Sequence, residues 1–395
     1  MKMNWQDKIS PKVTSIAPSG IRKFFDIVQT MPDAISLGVG EPDFITPWHI
    51  RQAAIDSIRN GETAYTSNAG DPKLRKAIAR YMEERFSLSY DPMGEIMVTV
   101  GASEAIDLAM RAIIEPGDEV IIPDPSYVSY VPNVIMVHGV PVPVKTKAED
   151  DFRITPEAIE KAVTKKTKAI ILPYPNNPTG AVMEKHHLEA IAKVIKKHDL
   201  VVVSDEIYAE LSYGISHVSI ASVEGMKERT ILVNGFSKAF AMTGWRMGFV
   251  CAPKEVLSMM LKIHQYVIMC ASTMSQAAAL DALERAFEDD FKDVKHMHED
   301  YDMRRRVIYK ALNDMGLSSF EPKGAFYIFP CIKSTGLSSE QFAKGLLESQ
   351  QVAVVPGTAF GESGEGYVRC SYASSLKNIN EAMERIKKYL ESLNA

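Results

Sequence analysis

Between Trp48 and Ser272 the chain alternates short apolar runs with stretches whose apolar residues recur at helical spacing. Parallel strands joined by helices give that pattern, because each parallel pair needs a crossover connection. The expected strands are 96–100, 120–123, 142–145, 169–172, 201–204, 230–234 and 248–251. Helices are expected between most of them. The segment 103–114 carries Ile106, Leu108, Ala109, Ala112 and Ile113 on its apolar positions and stops before Pro116-Gly117, and 188–197 reads as another helix. The fold class is therefore α/β. After Ser272 a long charged helical region, roughly 277–315, is followed by strands near 326–329, 353–356 and 366–370. A large domain of 46–290 and a smaller α+β domain of 1–45 together with 291–395 is the expected division.

Composition narrows the function. The 395 residues carry 45 basic and 50 acidic side chains, a formal charge of −5, which disfavours a protein built to hold nucleic acid or an anionic membrane. The four cysteines, Cys251, Cys270, Cys331 and Cys370, form no CxxC pair, and no HExxH occurs, so neither a metal site nor a disulfide framework is expected. The start MKMNWQDKIS has no apolar signal segment and no run suffices for a membrane span, so a cytoplasmic protein is expected.

Ligands of an open α/β sheet settle at the carboxyl ends of its strands, so polar residues just after apolar runs are the candidates for chemistry. In VNGFSKAFAMTGWRMG, Lys238 follows a strand and precedes Arg246 by eight positions. Burial beside a cation lowers a lysine's pKa and frees its amine to attack an aldehyde, and Arg246 is that cation or a planar fork for a phosphate. Standing alone, the motif favours a loop lysine and a structural arginine. In VVVSDEIYAEL, Asp205 ends a buried run and Tyr208 follows three residues on. A carboxylate against a pyridine nitrogen keeps that ring an electron sink, and a phenol donates to a ring oxygen; a helix cap explains Asp205 equally well. Asn177 in LPYPNNPTGAV offers an amide to the same oxygen, or simply makes a turn. VTVGASEAIDLAM sets Gly101, Ala102 and Ser103 at a helix start, an anion site or an ordinary cap. Tyr127 in PDPSYVSY stacks on a ring or fills core, and Arg369 in GYVRCSYASS receives a carboxylate or decorates the surface.

Together these residues resemble the class I and II aminotransferases of pyridoxal-phosphate fold type I. The ordered set SLGVGEPDF, AYTSNAG, VTVGASEA, PDPSYVSY, PNNPTG, SDEIY, NGFSKAFAMTGWRMG, PKGAFYIFP, VAVVPGTAFG and YVRCSYA carries the resemblance from about Ile35 to Ser374. It implies a large domain with a mostly parallel seven-stranded sheet, pyridoxal 5'-phosphate as cofactor, and Lys238 as Schiff-base lysine and proton shuttle. It further implies Asp205 at the pyridine nitrogen, Asn177 and Tyr208 at the phenolate oxygen, and Tyr127 stacked on the ring. Phosphate contacts fall to Gly101, Ala102, Ser103, Arg246 and, from the partner of a homodimer with shared sites, Tyr65. Gly235 stands where many relatives carry a phosphate-binding serine, which leaves Ser237 as the candidate hydroxyl. Arg369, Asn177 and the backbone of Gly40 are the substrate-carboxylate receptors.

The implied activity is a ping-pong transfer of an amino group between an L-amino acid and a 2-oxo acid, with 2-oxoglutarate as acceptor, in amino-acid metabolism and biosynthesis. SGIRKFFDIV and the motifs above are most similar to prokaryotic aromatic and aspartate aminotransferases; alanine is a third candidate donor. A β-lyase acting on cystathionine-like thioethers is the alternative within the cofactor class. A non-catalytic sensing domain is the alternative outside it, disfavoured because no DNA-binding segment precedes Ser19.

Overall fold

The structure, a computed structural model, describes residues 3–18, 20, 31 and 33–393. Most of the SGIRKFFDIV stretch lies outside the described residues. In chain order the strands are β1 (Ile35–Ser36), β2 (Ile96–Val100), β3 (Glu119–Asp124), β4 (Val140–Lys145), β5 (Thr167–Leu172), β6 (Val201–Asp205), β7 (Thr230–Gly235), β8 (Met247–Cys251), β9 (Tyr327–Ile328), β10 (Val352–Ala353), β11 (Val355–Pro356) and β12 (Val368–Ser371).

Seven of them form the central sheet in the order β2-β8-β7-β6-β5-β3-β4. Runs such as Ile96–Val100 and Thr230–Gly235 are apolar and buried because helices cover both faces, as a largely parallel sheet requires. Pro141 and Pro143 fit within β4 because it is an edge strand, where a missing N–H interrupts no ladder on the open side. Only β8 runs against its neighbours. That reversal positions the site: the carboxyl ends of β2, β3, β5, β6 and β7 meet the amino end of β8, so Arg246 reaches the edge that carries Gly101, Asp205 and Lys238.

Beyond the sheet, the charged region expected at 277–315 is two helices, Thr273–Glu288 and Lys292–Asp314. Asp290 and Phe291 between them both take left-handed backbone. The cost, roughly 1–2 kcal/mol per residue, is offset by burying the Phe291 ring against Phe287 and Tyr81. The run expected at 353–356 is split at Val354 into β10 and β11, and the strands expected near 326–329 and 366–370 are the short β9 and β12. β11, β12 and β9 make an antiparallel sheet, while β1 pairs in parallel with β10. From β1 the chain continues as a strap toward the edge of the large sheet. Asp43 anchors it by accepting two hydrogen bonds from Arg304 Nη1, at 2.9 and 2.8 Å, and one from the Tyr301 hydroxyl at 3.2 Å.

Three glycines set the distance between sheet and helix. A Cβ on Gly248 would lie 2.5 Å from the Gly101 carbonyl carbon and 2.6 Å from the Ala102 nitrogen, and one on Gly235 would lie 2.8 Å from the Gly248 Cα. β7, β8 and the start of helix Gly101–Ile113 therefore touch backbone to backbone. Gly248→Ala is expected to destabilise the fold by about 1–3 kcal/mol, read as a lowered denaturant midpoint with an unchanged m value. A midpoint equal to that of the unmodified protein would show that the contact relaxes freely.

Candidate active site

A cavity of about 560 Å³ opens at this sheet edge. Gly40, Ala102, Ser103, Tyr127, Asn177, Asp205, Tyr208, Ser237, Lys238, Arg246 and Arg369 all line it. Of the residues singled out from the motifs, Gly101 and Tyr65 are not among the lining, and Tyr65 is 78% exposed. A larger cavity of about 1160 Å³ shares Tyr127 and Val128 with it, but the lysine and both arginines face the smaller one.

Lys238 lies on the short helix Phe236–Ala239, which follows β7 directly, and its Nζ donates to the Gly40 carbonyl at 2.6 Å. Burial pushes its amine down to about 8; Glu41 opposes the shift, while Arg369 and Arg246 add to it. Desolvation, more than the neighbouring cation expected from the motif, makes this amine partly neutral near physiological pH. Arg246 itself is exposed, and its Nη1 donates to the Thr243 carbonyl.

Asp205 ends β6 with its carboxylate buried. Oδ1 accepts from the Ile207 N–H at 3.2 Å and Oδ2 from the Tyr130 hydroxyl at 2.8 Å. The chain after it is a turn, so the helix-cap reading does not apply. Burial raises its pKa to about 6, with the Tyr130 hydrogen bond acting against the rise, and the group is anionic at neutral pH. Tyr208, three residues on, shares a hydrogen bond of 2.9 Å with Tyr327, hydroxyl to hydroxyl.

Arg369, on β12, is 1% exposed. Nη1 donates to the Asn177 side-chain oxygen at 2.9 Å, Nη2 donates to the Gly38 carbonyl, and Nε has no partner. The rings of Tyr327 and Phe360 lie 4.4 and 4.8 Å from its guanidinium carbon. Among the described residues no carboxylate pairs with it. A buried charge without a counter-ion costs several kcal/mol, so the arrangement suits an anion that arrives with a ligand.

Gly101 has φ +73° and opens a thirteen-residue helix whose next two residues, Ala102 and Ser103, line the cavity, as an anion site at a helix start requires. Its missing side chain matters: a Cβ there would lie 2.5 Å from Arg246 Nη2. Glu104, an acidic group in the same turn, is diverted from the anion site by accepting from the Val100 N–H and pairing with the buried His264 Nδ1 at 2.7 Å.

The motifs did not draw attention to Tyr130, Tyr327, Gly38 or Glu41. Tyr130 lies three residues after Tyr127, within reach of the same sheet edge, and that spacing was a usable signal. Tyr327 and Gly38 join the site through β9 and the strap, and nothing local announces a contact across nearly the whole chain.

Pyridoxal phosphate needs an amine for its aldehyde, an anion at its ring nitrogen, donors at its phenolate oxygen and an anion site for its phosphate. The donor set fits. Lys238 and Asp205 would serve the first two, Tyr208 and Asn177, which line the same cavity, carry donors of the kind the third needs, and the helix start with Arg246 would serve the fourth. Ser237 lines the cavity, whereas a serine at 235 would collide with β8.

Residues 32–386 match the model of the family described as aminotransferase class I and II. The chain is 49% identical to an aspartate aminotransferase of Pyrococcus abyssi, over 97% of this chain and 98% of the relative. It is 46% identical to aromatic-amino-acid aminotransferase 2 of Thermococcus litoralis, over 97% and 98%. Among solved structures, the aspartate aminotransferase of Thermus thermophilus with maleate superposes with a TM-score of 0.92 at 40% identity, covering 96% of this chain and 99% of that one.

With Lys238 lowered to about 8, its neutral fraction grows about tenfold from pH 7 to pH 9. The rate at which cofactor-free protein captures pyridoxal phosphate, trapped with borohydride, is expected to rise by that factor and then level off. A rate still climbing above about pH 10 would identify an ordinary solvated lysine.

Proposed function

The chain belongs to the class I and II aminotransferases, and we propose that it transfers the amino group of aspartate or an aromatic L-amino acid to 2-oxoglutarate with the residues assigned below. The enzyme is a pyridoxal-phosphate-dependent aminotransferase. The relatives give the lyase alternative no support. The observation that carries the proposal is the buried Arg369 without a carboxylate partner among the described residues, since every amino acid and 2-oxo acid brings one.

Arg369 clamps the substrate α-carboxylate with two parallel N–H bonds, and Asn177, already holding Nη1, fixes the plane of the fork. Pyridoxal phosphate, when bound, supplies an aldehyde that receives the amino group and a ring that withdraws electrons from Cα. Asp205, anionic and desolvated, holds a proton at the ring nitrogen. Tyr208 and Asn177 donate toward the phenolate oxygen, Tyr127 packs on the ring face, and Gly101, Ala102, Ser103, Ser237 and Arg246 receive the phosphate. Lys238 Nζ, released from its hydrogen bond to Gly40, moves the proton at Cα.

The relatives named above carry the names of aspartate and aromatic aminotransferases. The larger cavity, walled by Val128, Val131, Ile135 and Phe360, adjoins Arg369 through Phe360, and this favours an aromatic donor side chain. Alanine is the third candidate. The same proposal includes a homodimer, in which the exposed Tyr65 serves the partner's phosphate site, and a large domain of 46–290 against a small one of 1–45 with 291–395. A cytoplasmic location belongs with it, since the four free cysteines suit a reducing compartment.

Each candidate donor, mixed with the yellow holoenzyme without acceptor, is expected to bleach it to the pyridoxamine form if it is a substrate. Bleaching by none of aspartate, the aromatic amino acids or alanine would sink the substrate assignment, and release of pyruvate and ammonia would restore the lyase. Lys238→Ala should lower turnover at least 10³-fold, on the order of the loss of a general acid–base, and abolish borohydride-reducible linkage of the cofactor. Arg369→Leu should raise KM for all carboxylate substrates together, roughly 10- to 100-fold, as expected for a lost charge-assisted pair. A loss confined to one side-chain type would mean that Arg369 reads the side chain instead.

A further inference from the structure

Asp205 and Tyr127 stand on separate elements: Asp205 ends β6, Tyr127 sits in the loop after β3, and β5 runs between those strands. One side chain touches both. Tyr130 opens helix Tyr130–Met136, is 2% exposed, and donates its hydroxyl to Asp205 Oδ2 at 2.8 Å. Its ring meets that of Tyr127 edge to face, with centroids 5.7 Å apart and an interplanar angle of 82°.

We propose that Tyr130 is a positioning residue that joins Asp205 and Tyr127 into one rigid platform for the cofactor ring. The hydroxyl fixes the carboxylate, and the ring edge fixes the stacking tyrosine. The inference rests on the reading that Asp205 faces the pyridine nitrogen.

Packing alone does not account for the hydroxyl. A phenylalanine would fill the same space, yet a buried hydroxyl is costly unless it is hydrogen-bonded. Here it is matched to one oxygen of a desolvated carboxylate whose other oxygen is held by the Ile207 N–H. Without Tyr130, Oδ2 loses the hydroxyl that stabilises its charge. The other ionisable groups facing Asp205 do not replace it: Glu206, the residue just after β6, disfavours the anion, Lys238 from the helix after β7 favours it only through space, and Tyr127 interacts with it without a hydrogen bond. Tyr130 thus keeps Asp205 charged at the pH where the ring nitrogen must be protonated, and holds the carboxylate edge toward the ring that Tyr127 covers.

The test is equilibrium binding of pyridoxal phosphate to cofactor-free protein from about pH 5 to about pH 8, for the unmodified chain, Tyr130→Phe, Asp205→Asn and the double variant. Thermal melting checks that each is folded. Tyr130→Phe is expected to move the acid limb of the affinity profile up by about one pH unit, making binding near pH 5 about tenfold weaker while leaving it nearly unchanged near pH 8. In the Asp205→Asn background the same change should add no shift. Tyr130→Leu, which also removes the ring edge, should weaken binding further and at every pH. Coincident profiles for the unmodified chain and Tyr130→Phe, with Asp205→Asn displaced, would make Tyr130 a packing residue and overturn the inference alone. An Asp205→Asn profile identical to that of the unmodified chain would remove the reading of Asp205, and the inference with it. An equal shift in both backgrounds would show that Tyr130 acts elsewhere.

Discussion

Arg369 is held out of water with no carboxylate beside it among the described residues, and much of the surrounding structure serves to make that tolerable. Its donors go to Asn177 and Gly38, and two aromatic rings lie against its guanidinium. Asn177 stands in the turn after β5 and Gly38 in the strap after β1, so one desolvated cation fixes the position of three distant segments. The nearby Lys238 amine feels the same low dielectric and the same positive neighbour, which is why it loses its proton more readily than a solvated lysine. A site that keeps a guanidinium waiting for an anion and an amine partly neutral is pre-organised for a carboxylate substrate and an aldehyde, and little rearrangement is needed when they arrive.

The part of the cavity lined by Ala102 and Ser103 depends on close backbone packing. Gly235, Gly248 and Gly101 let β7, β8 and a helix start approach without side chains between them. That approach brings the helix start, Ala102 and Ser103, to the cavity wall and leaves room for the Arg246 guanidinium against Gly101. The reversed direction of β8 is the topological counterpart, because a parallel strand at that place would carry Arg246 to the far edge of the sheet. The helix start with Arg246 and the buried Arg369 thereby line one cavity together with Lys238 and Asp205.

Most strands in the large sheet were legible because they are buried on both faces and so are written as unbroken apolar runs with turns between; the half-exposed edge strand β4 is the exception. Outside that sheet, strands were expected near 326–329, 353–356 and 366–370, but at two to four residues long they are too short for their bounds or the split at Val354 to be read. β1 was not expected, and the break between Thr273–Glu288 and Lys292–Asp314 depends on Phe291 finding a pocket near Tyr81. Within the site, Lys238, Asp205 and Asn177 follow or end a strand, and their positions made them candidates, whereas Arg369, expected where a strand ends, lies inside β12. Tyr327 and Gly38 had no such mark, since their partners lie far away in the chain.

From the sequence alone came the α/β class, the ordered motifs of the family, and a set of residue types suited to an aldehyde cofactor and a carboxylate substrate. Those follow from local rules: apolar runs bury, glycine permits close turns, and polar residues at strand ends face the ligand edge. Tertiary structure decided the electrostatics. Whether Lys238 is neutral, whether Asp205 is charged, and whether Arg369 is paired depend on desolvation and on which groups a fold brings within a few ångströms, and no local pattern encodes either. Burial, more than the expected cation, governs Lys238; Tyr130 reaches Asp205 from across the sheet; and Arg369 is enclosed where a strand-end arginine read singly would be solvated.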